Sequence, residues 1–322
     1  MTATLDIRDM TVALGPPHRR VPIVENVSFT VEPGRILCVV GESGSGKSVS
    51  AMAAMGLLPP GRHAVTAEAL AFEGRDLRPL SDRDMTRLRG DCMAMVFQEP
   101  MTSLNPVFTV GNQIGEVLRV HRGLGAKAAR ARVLETLRDV GIAAPERRID
   151  SYPHELSGGL RQRVMIAMAL ACGPRLLIAD EPTTALDVTV QAQILRLFLD
   201  LRDRTGAGIL FITHNLGVVA EIADDVAVMY AGRVVEQAPA ATLFREAQHP
   251  YTLALLAAMP AIDTTADRLE PIPGRMPAPG TASPGCRFAP RCPFAAADCA
   301  VQPPMQSMGP AHFAACWRAP VA

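Results

Sequence analysis

Aromatic side chains and net charge are both scarce in this chain. Of its 322 residues, 4% are Phe, Trp or Tyr, and 32 Lys and Arg side chains balance 32 Asp and Glu side chains, so the formal net charge is zero. A protein that binds nucleic acid usually carries an excess of basic residues, and many such proteins stack bases on aromatic rings. The composition therefore argues against a nucleic-acid partner.

Long apolar runs are missing as well. The longest, such as VMIAMALA (164–171) and ALLAAM (254–259), fall short of the roughly 18 residues that a membrane-spanning helix needs. The first ten residues, MTATLDIRDM, have no basic stretch followed by an apolar one, which a signal peptide would have. We therefore expect a cytosolic chain without a membrane span.

Cysteine is absent between Cys172 and Cys286, and four of the seven cysteines follow that gap. These four are Cys286, Cys292, Cys299 and Cys316. In the cytosol, grouped cysteines are more often metal ligands or catalytic thiols than disulfides. The other three, Cys38, Cys92 and Cys172, lie in apolar stretches, and we interpret them as small buried hydrophobic residues.

Strand and helix patterns alternate along the first 240 residues. ILCVV (36–40) is continuously apolar, which is typical of a strand buried on both faces, and RLLIADEP (175–182) and GILFITHN (208–215) are also predicted to be buried strands. Helical patterns separate them, and most of the stretch from about 84 to 150 is predicted to be helical. VAVMYAGRVVEQA (226–238) predicts a hairpin that turns at Ala231–Gly232. This alternation predicts an α/β fold with a largely parallel central sheet.

The composition and periodicity of the sequence change after about residue 237. Proline becomes frequent, regular periodicity fades, and the four late cysteines appear. We predict a first domain over 1–240, with a helical subdomain over about 96–160, and a small Cys-rich C-terminal region over 241–322.

A glycine-rich loop follows the ILCVV run. GESGSGKS (41–48) fits the pattern G-x-x-x-x-G-K-[ST] between a predicted strand and a predicted helix. Glycines let backbone N–H groups surround phosphates, the lysine reaches the β- and γ-phosphates, and the final hydroxyl binds Mg²⁺. The predicted nucleotide-binding residues are Gly41, Ser43, Gly44, Ser45, Gly46, Lys47 and Ser48.

Two carboxylates end the stretch LLIADE (176–181). In open α/β sheets, ligands bind at the carboxyl ends of the strands, where Asp180 and Glu181 are expected. We predict that Asp180 helps to hold Mg²⁺ and that Glu181 orients the water that attacks the γ-phosphate.

LSGGLRQRV (156–164) resembles the signature sequence of ATP-binding-cassette (ABC) ATPases. Other motifs of that family follow in the expected order: VFQEP (96–100), TALD (184–187) and ITHN (212–215). The resemblance implies a P-loop NTPase with a RecA-like core, an N-terminal antiparallel β subdomain and a helical subdomain. It also implies a head-to-tail dimer that binds two ATP molecules between its subunits.

The resemblance assigns roles to individual residues of these motifs. It implies that Ser157, Gly158 and Gly159 contact the γ-phosphate held by the partner subunit. It implies that Gln98 contacts Mg²⁺ and the attacking water, that Asp187 lies in a loop that crosses to the partner, and that His214 contacts the γ-phosphate. One departure is Leu14, which stands where the family usually has an aromatic residue stacked on adenine.

Longer stretches resemble one branch of the family, the oligopeptide, dipeptide and nickel importers. They are EPMTSLNPVFTVGNQI (99–114), SYPHELSGGLRQRVMIAMALA (151–171), EPTTALDVTVQAQIL (181–195), QHPYTLALLAAMP (248–260), PIPGRMPAPG (271–280) and PGCRFAPRCPFAAADC (284–299). This resemblance implies a second ATPase subunit in a heterodimer, two permease subunits, an extracytoplasmic binding protein and a place on the cytoplasmic face of the inner membrane. Its implied cargo is peptides or similar small solutes.

The late cysteines leave three alternatives open. Their spacings, C-x5-C, C-x6-C and C-x16-C, differ from the C-x2-C pairs of common zinc sites. Four thiolates can hold a 4Fe-4S cluster, which relatives of this branch have here, but they can also hold zinc or stay unmetallated. Two rival functions also remain: an ATPase associated with nucleic acid or ribosomes, and a regulatory ATPase that senses iron through the cluster.

Overall fold

The computed structural model of the chain describes residues 2–184, 186–259, 272–281 and 284–320. These residues form two compact units. The first comprises Met1–Val31, Ile36–Asp76 and Ile212–Ala322, and the second comprises Glu32–Arg35 and Leu77–Phe211. Residue 185 of the TALD motif and residues 260–271 lie outside the described residues. The domain boundary near 240 stays a prediction.

The helices and strands alternate as the sequence predicts. In chain order the described strands are β1 (Leu5–Leu14), β2 (Val21–Val31), β3 (Ile36–Val40), β4 (His63–Thr66), β5 (Ala69–Phe72), β6 (Arg75–Asp76), β7 (Met93–Val96), β8 (Leu176–Asp180), β9 (Gly208–Thr213), β10 (Asp225–Tyr230), β11 (Arg233–Pro239), β12 (Gln306–Gly309) and β13 (His312–Ala314). The described α-helices are α1 (Lys47–Ala54), α2 (Asp82–Leu88), α3 (Pro100–Ser103), α4 (Val110–Arg122), α5 (Ala126–Asp139), α6 (Pro145–Arg148), α7 (Gly158–Leu170), α8 (Val188–Thr205), α9 (Leu216–Ile222), α10 (Ala240–Glu246) and α11 (Pro250–Ala257).

An antiparallel sheet forms the N-terminal part of the first unit. Its strand order is β2-β1-β5-β6, and β4 also pairs with β1. Alternate side chains of β1 (Leu5, Ile7) are buried and their neighbours face outwards, as expected of a strand with one buried face. The predicted N-terminal antiparallel β subdomain is thus confirmed.

A second sheet of the first unit has the strand order β12-β13-β11-β10-β3. β3 pairs in parallel with β10, and all five residues of β3 are buried. The hairpin of β10 and β11 turns at Ala231 and Gly232, whose φ values of 45° and 85° are those that a two-residue hairpin turn requires. Both the buried strand and the hairpin are confirmed.

The C-terminal residues extend this second sheet. β13 pairs with β11, with Ala314 opposite Glu236, and β12 pairs with β13. Glu236 is fully buried, and its carboxylate accepts hydrogen bonds from the backbone N–H groups of Gln248 and His249 and pairs with His312 Nε2 at 2.8 Å. Strands β12 and β13 were not predicted, because each has only three or four residues and neither alternates clearly.

The second unit contains residues 208–211 of β9 together with β8 and β7, neighbours in that order, and helices α2 to α8. β7 pairs in parallel with β8. Helices α4, α5 and α7 pack against one another. The stretch over 84–150 is mostly helical, as predicted. Strand β7 within it was not predicted, since a four-residue apolar run does not distinguish a strand from a helix by its period.

No helix in the described ranges is both long and apolar enough to cross a membrane.

We expect the Glu25→Gln variant to be less stable in a pH-dependent way. Glu25 on β2 pairs with Arg233 at 2.9 Å and with Arg287. Burial pushes the pKa of Glu25 up, but the bonds and charges of Arg287 and Arg233 outweigh burial and leave the pKa below its usual value. Because the folded pKa is lowered, the stabilisation is present above the unfolded pKa of about 4.3 and is lost as pH falls through the lower folded value.

Urea unfolding at pH 7 should therefore show a loss of about 1–2 kcal/mol for Glu25→Gln. The difference in free energy of unfolding between the variant and wild type should be smaller at pH 3. As a control, Glu135→Gln removes an exposed carboxylate paired with Arg132 and should change stability little at either pH. A difference in free energy of unfolding between Glu25→Gln and wild type that stays constant with pH would contradict this role of Glu25.

Candidate phosphate-binding and hydrolysis site

Two glycines shape the loop between β3 and α1. Gly41 has φ 150°, and a Cβ atom there would lie 2.1 Å from the carbonyl oxygen of Met229. Gly46 has φ 102° and is the N-cap of α1. No larger residue fits position 41 without moving the strand behind it, and position 46 requires a left-handed backbone. The loop therefore presents backbone N–H groups at a helix N-terminus, the arrangement that binds phosphate.

The ammonium group of Lys47 lies inside this loop. Lys47 Nζ donates to the carbonyl oxygens of Gly41 at 2.7 Å and Glu42 at 2.9 Å, and to Ser45 Oγ at 3.4 Å. Lys47 is 5% exposed and Ser45 is fully buried. A triphosphate can take over a cation held by neutral carbonyl oxygens, because its interaction with the ammonium group is charge-assisted. The geometry fits the predicted role of Lys47.

The other predicted residues of the first unit lie in the loop after β3, in the first turn of α1 and directly after β9. Ser48 is the second residue of α1, and Ser43 and Gly44 are exposed. His214 follows β9 directly and is exposed, and the next residue, Asn215, caps α9 through a 2.9 Å bond from the Gly217 N–H.

In the second unit, the structure brings Gln98 to Glu181. Gln98 Nε2 donates to Glu181 Oε2 at 2.9 Å, and Thr184 Oγ1 donates to the same oxygen at 3.0 Å. Asp180, 7% exposed, is the last residue of β8. Glu181 has φ 47°, which is uncommon for a residue other than glycine and is found where surrounding contacts fix a functional side chain. Sequence reasoning did not find the contribution of Thr184.

The predicted signature residues begin α7. Ser157 is the N-cap, and its Oγ accepts a 3.4 Å hydrogen bond from the Leu160 N–H. A Cβ atom at Gly158 would meet open space, whereas one at Gly159 would lie 3.0 Å from Val190. Ser157 and Gly158 are exposed, so this helix N-terminus is accessible to an anion. Asp187 caps α8 by accepting a 2.9 Å bond from the Val190 N–H, as its position in the sequence predicts.

The four late cysteines line one cavity together with His249 and Phe288. Burial raises the pKa of the thiols of Cys286, Cys292 and Cys316. Among the described residues, no group of three or more His, Cys, Asp or Glu side chains is placed to hold a metal ion. The described thiols are therefore not arranged to surround a single metal ion such as zinc, and the structure leaves the predicted cluster unsupported. Of the remaining cysteines, Cys38 and Cys172 are buried as predicted, and Cys92 is half-buried.

Sequence reasoning missed the neighbours of Glu42 in the phosphate loop. The Tyr251 hydroxyl oxygen accepts a 2.9 Å bond from the Glu42 N–H. Arg291 Nη1 donates to both carboxylate oxygens of Glu42, at 3.0 and 3.1 Å. These contacts join positions more than 200 residues apart, and no local pattern in the sequence signals them.

The loop, the buried strand with its acidic end and the glycine-rich helix start narrow the possible families. Residues 24–184 match the ABC transporter family. The chain belongs to this family. Residues 235–299 also match the oligopeptide/dipeptide transporter C-terminal region, which includes three of the four late cysteines.

Individual ABC proteins are similar over nearly the whole chain. The chain is 51% identical over 316 residues to the probable peptide ABC transporter ATP-binding protein y4tR of Sinorhizobium fredii, covering 98% of this chain and 94% of that protein. It is 50% identical over 309 residues to the dipeptide transport ATP-binding protein DppD of Haemophilus influenzae, covering 95% and 93%.

A solved ABC structure shares the fold. It is a dimeric post-hydrolysis state of the ATP-binding cassette MJ0796 bound to ADP and Pi, with a TM-score of 0.64 and 27% identity, covering 73% of this chain and 98% of that one. The predicted ABC-type P-loop ATPase fold is confirmed.

Proposed function

We propose that this protein is the ATP-hydrolysing subunit of an ABC importer for dipeptides, oligopeptides or similar small solutes. One observation carries the proposal: a single chain matches both the ABC transporter family and the oligopeptide/dipeptide transporter C-terminal region. Relatives at about 50% identity over at least 95% of the chain carry names of peptide transport ATPases.

The proposed chemistry is attack of water on the γ-phosphorus of ATP. The bond from the β–γ bridging oxygen to the γ-phosphorus breaks, and ADP and phosphate leave. Glu181 polarises the water and takes up its proton, Gln98 holds Glu181 and the water in place, and Lys47 and His214 stabilise charge on the γ-phosphoryl oxygens. Positioning and charge stabilisation supply most of the rate enhancement in phosphoryl transfer.

Mg²⁺ is implied by this chemistry. The Ser48 hydroxyl, the Asp180 carboxylate and the Gln98 amide are hard oxygen donors, which Mg²⁺ prefers, and Asp180 is placed at a strand end with its side chain mostly buried. When bound, the ion neutralises charge on the phosphates. The donor atoms of these side chains are thus of the kind that a magnesium ion would need.

The proposed working unit is a head-to-tail dimer. Ser157, Gly158 and Gly159 at the start of α7, together with Asp187, complete the ATP site of the other subunit. The exposed helix N-terminus at Ser157 supports this role, and the solved relative is dimeric. We propose a second, different ATPase subunit as the partner.

ATP binding closes this dimer and hydrolysis reopens it, which drives two permease subunits between inward- and outward-facing states. An extracytoplasmic binding protein delivers the solute. The ATPase lies on the cytoplasmic face of the inner membrane and is held there by the permeases.

The test is purification of the tagged protein from gently solubilised membranes of its own host without oxygen. We expect two polytopic permeases, a second ATPase and a solute-binding protein to copurify. Ribosomal or DNA-repair proteins in their place would refute the importer and favour the nucleic-acid-associated ATPase, which the zero net charge argues against.

We also propose that Cys286, Cys292, Cys299 and Cys316 hold a 4Fe-4S cluster. The four thiols line one cavity, and because each thiolate of such a cluster binds a different iron, the thiolates need not surround a single ion. The proposed role is to stabilise the C-terminal residues.

Protein purified without oxygen should then contain about four irons and four sulfides per chain. Cys292→Ser should lose most of the iron and lower the melting temperature, while the control Cys92→Ser, a half-buried cysteine outside the cavity, should keep its iron. Wild type that contains zinc, or no metal and seven titratable thiols, would refute the cluster. ATPase activity that follows the redox state of the cluster would favour the iron-sensing alternative.

A further inference from the structure

The C-terminal residues hold the phosphate loop at Glu42. Arg291 Nη1 donates to both oxygens of the Glu42 carboxylate, and the side chain of Arg291 is only 5% exposed. The Tyr251 hydroxyl oxygen accepts a hydrogen bond from the backbone N–H of Glu42. The loop is therefore fixed at its second residue by one charged and one neutral partner.

Arg291 is itself held from several sides. Its Nε donates to the Pro273 carbonyl oxygen at 2.8 Å and its Nη2 to the Ile272 carbonyl oxygen at 3.2 Å. Its Nη1 also reaches the Tyr230 hydroxyl at 3.3 Å, and its guanidinium carbon lies 5.7 Å from the centroid of the Tyr230 ring. A side chain with this many partners has little freedom to leave Glu42.

An aromatic cluster supports this contact. Tyr230, Tyr251 and Phe288 are each at most 1% exposed, and their ring centroids lie 4.6 to 5.4 Å apart. Phe288 also lines the cysteine cavity, and Arg291 directly precedes Cys292, which lines it too. Arg291 thus belongs to the segment that carries the first two late cysteines, and Phe288 of the same segment packs on Tyr251, the other residue that contacts the loop.

The charge of Glu42 explains why such a contact matters. A carboxylate in the second position of a phosphate-binding loop repels the triphosphate that the loop must bind, unless a cation neutralises it. Lys47 donates to the backbone carbonyl oxygen of Glu42, whereas Arg291 pairs with the carboxylate itself.

We propose that Arg291 is a positioning residue for nucleotide binding: it neutralises Glu42 and, with Tyr251, keeps the phosphate loop in its binding conformation. The segment that carries Cys286 and Cys292 thereby sets the nucleotide affinity of the ATPase. This inference rests on the proposed function of the loop as an ATP site, but it does not depend on an importer or on a bound cluster.

The test compares Arg291→Gln, Glu42→Gln and the double variant in the full-length protein, by titration with a fluorescent ATP analogue. Arg291→Gln should weaken binding about tenfold, because Glu42 is then unneutralised beside the phosphates. Glu42→Gln should have a smaller effect, and the double variant should bind more tightly than Arg291→Gln alone, since the repulsive charge is gone. Hydrogen exchange over residues 41–46 should rise in both Arg291 variants.

His312→Gln is the matched control. It disturbs the buried Glu236–His312 contact of the same C-terminal residues without touching Glu42. It should lower the melting temperature and leave ATP affinity unchanged. A double variant that binds as weakly as Arg291→Gln or more weakly, or an affinity loss in His312→Gln equal to that in Arg291→Gln, would overturn the proposal, because either result indicates a general loss of structure. If wild type binds no nucleotide at all, the proposed function itself fails.

Discussion

The Glu181→Gln variant is expected to bind ATP as tightly as wild type, and its rate of ATP turnover is expected to be lower by a factor of about a hundred or more. The glutamine keeps the size of the side chain and an acceptor for the Gln98 amide and the Thr184 hydroxyl, which donate to Glu181 at 2.9 and 3.0 Å. It cannot take a proton from water. The variant therefore separates binding from chemistry.

Steady-state hydrolysis and ATP titration, both with the partner subunits present, measure this difference. Glu135→Gln is the control, since Glu135 lies on the exposed side of α5 and pairs only with Arg132 among the contacts described above. Near-normal hydrolysis in Glu181→Gln would show that another group accepts the proton of the attacking water.

The Lys47→Met variant is expected to bind nucleotide about a hundredfold more weakly or worse than wild type. The reason is that it lacks the two charge-assisted contacts that we propose between Lys47 and the β- and γ-phosphates. The variant should also change the loop before any nucleotide binds. Lys47 Nζ donates to Gly41, Glu42 and Ser45, so amide exchange over 41–48 should rise in the nucleotide-free protein.

The low lysine content of the chain provides a matched control for Lys47. The chain has two lysines, and the second, Lys127, is exposed on α5. Lys127→Met should leave ATP affinity and loop exchange unchanged. ATP should likewise protect Lys47, and not Lys127, from an amine-reactive reagent. Equal protection of both, or ATP binding by Lys47→Met at wild-type affinity, would remove Lys47 from the site.

The local features of the site could be predicted from the sequence because each has a short-range cause. The loop at 41–48 follows from glycine spacing, and β8 follows from an apolar run that ends in Asp180. The structure agrees at all of these positions.

The features that the sequence did not predict depend on contacts distant along the chain. β7 has four residues, and it becomes a strand through its parallel pairing with β8. β13 becomes a strand through β11. The Arg291–Glu42 pair joins residues 249 positions apart, and an isolated arginine in a proline-rich stretch gives no sign of its partner. The left-handed backbone of Glu181, whose carboxylate accepts a hydrogen bond from the Thr184 hydroxyl, is not indicated by any residue pattern for a glutamate.

ATP-driven uptake of a labelled peptide into vesicles that contain the purified complex tests the central claim most directly. With ATP on the side of this subunit and the binding protein on the other, wild type should accumulate peptide inside the compartment that contains ATP, and the complex with Glu181→Gln should not. Hydrolysis by wild type without peptide movement, for every peptide that the binding protein holds, would contradict the account.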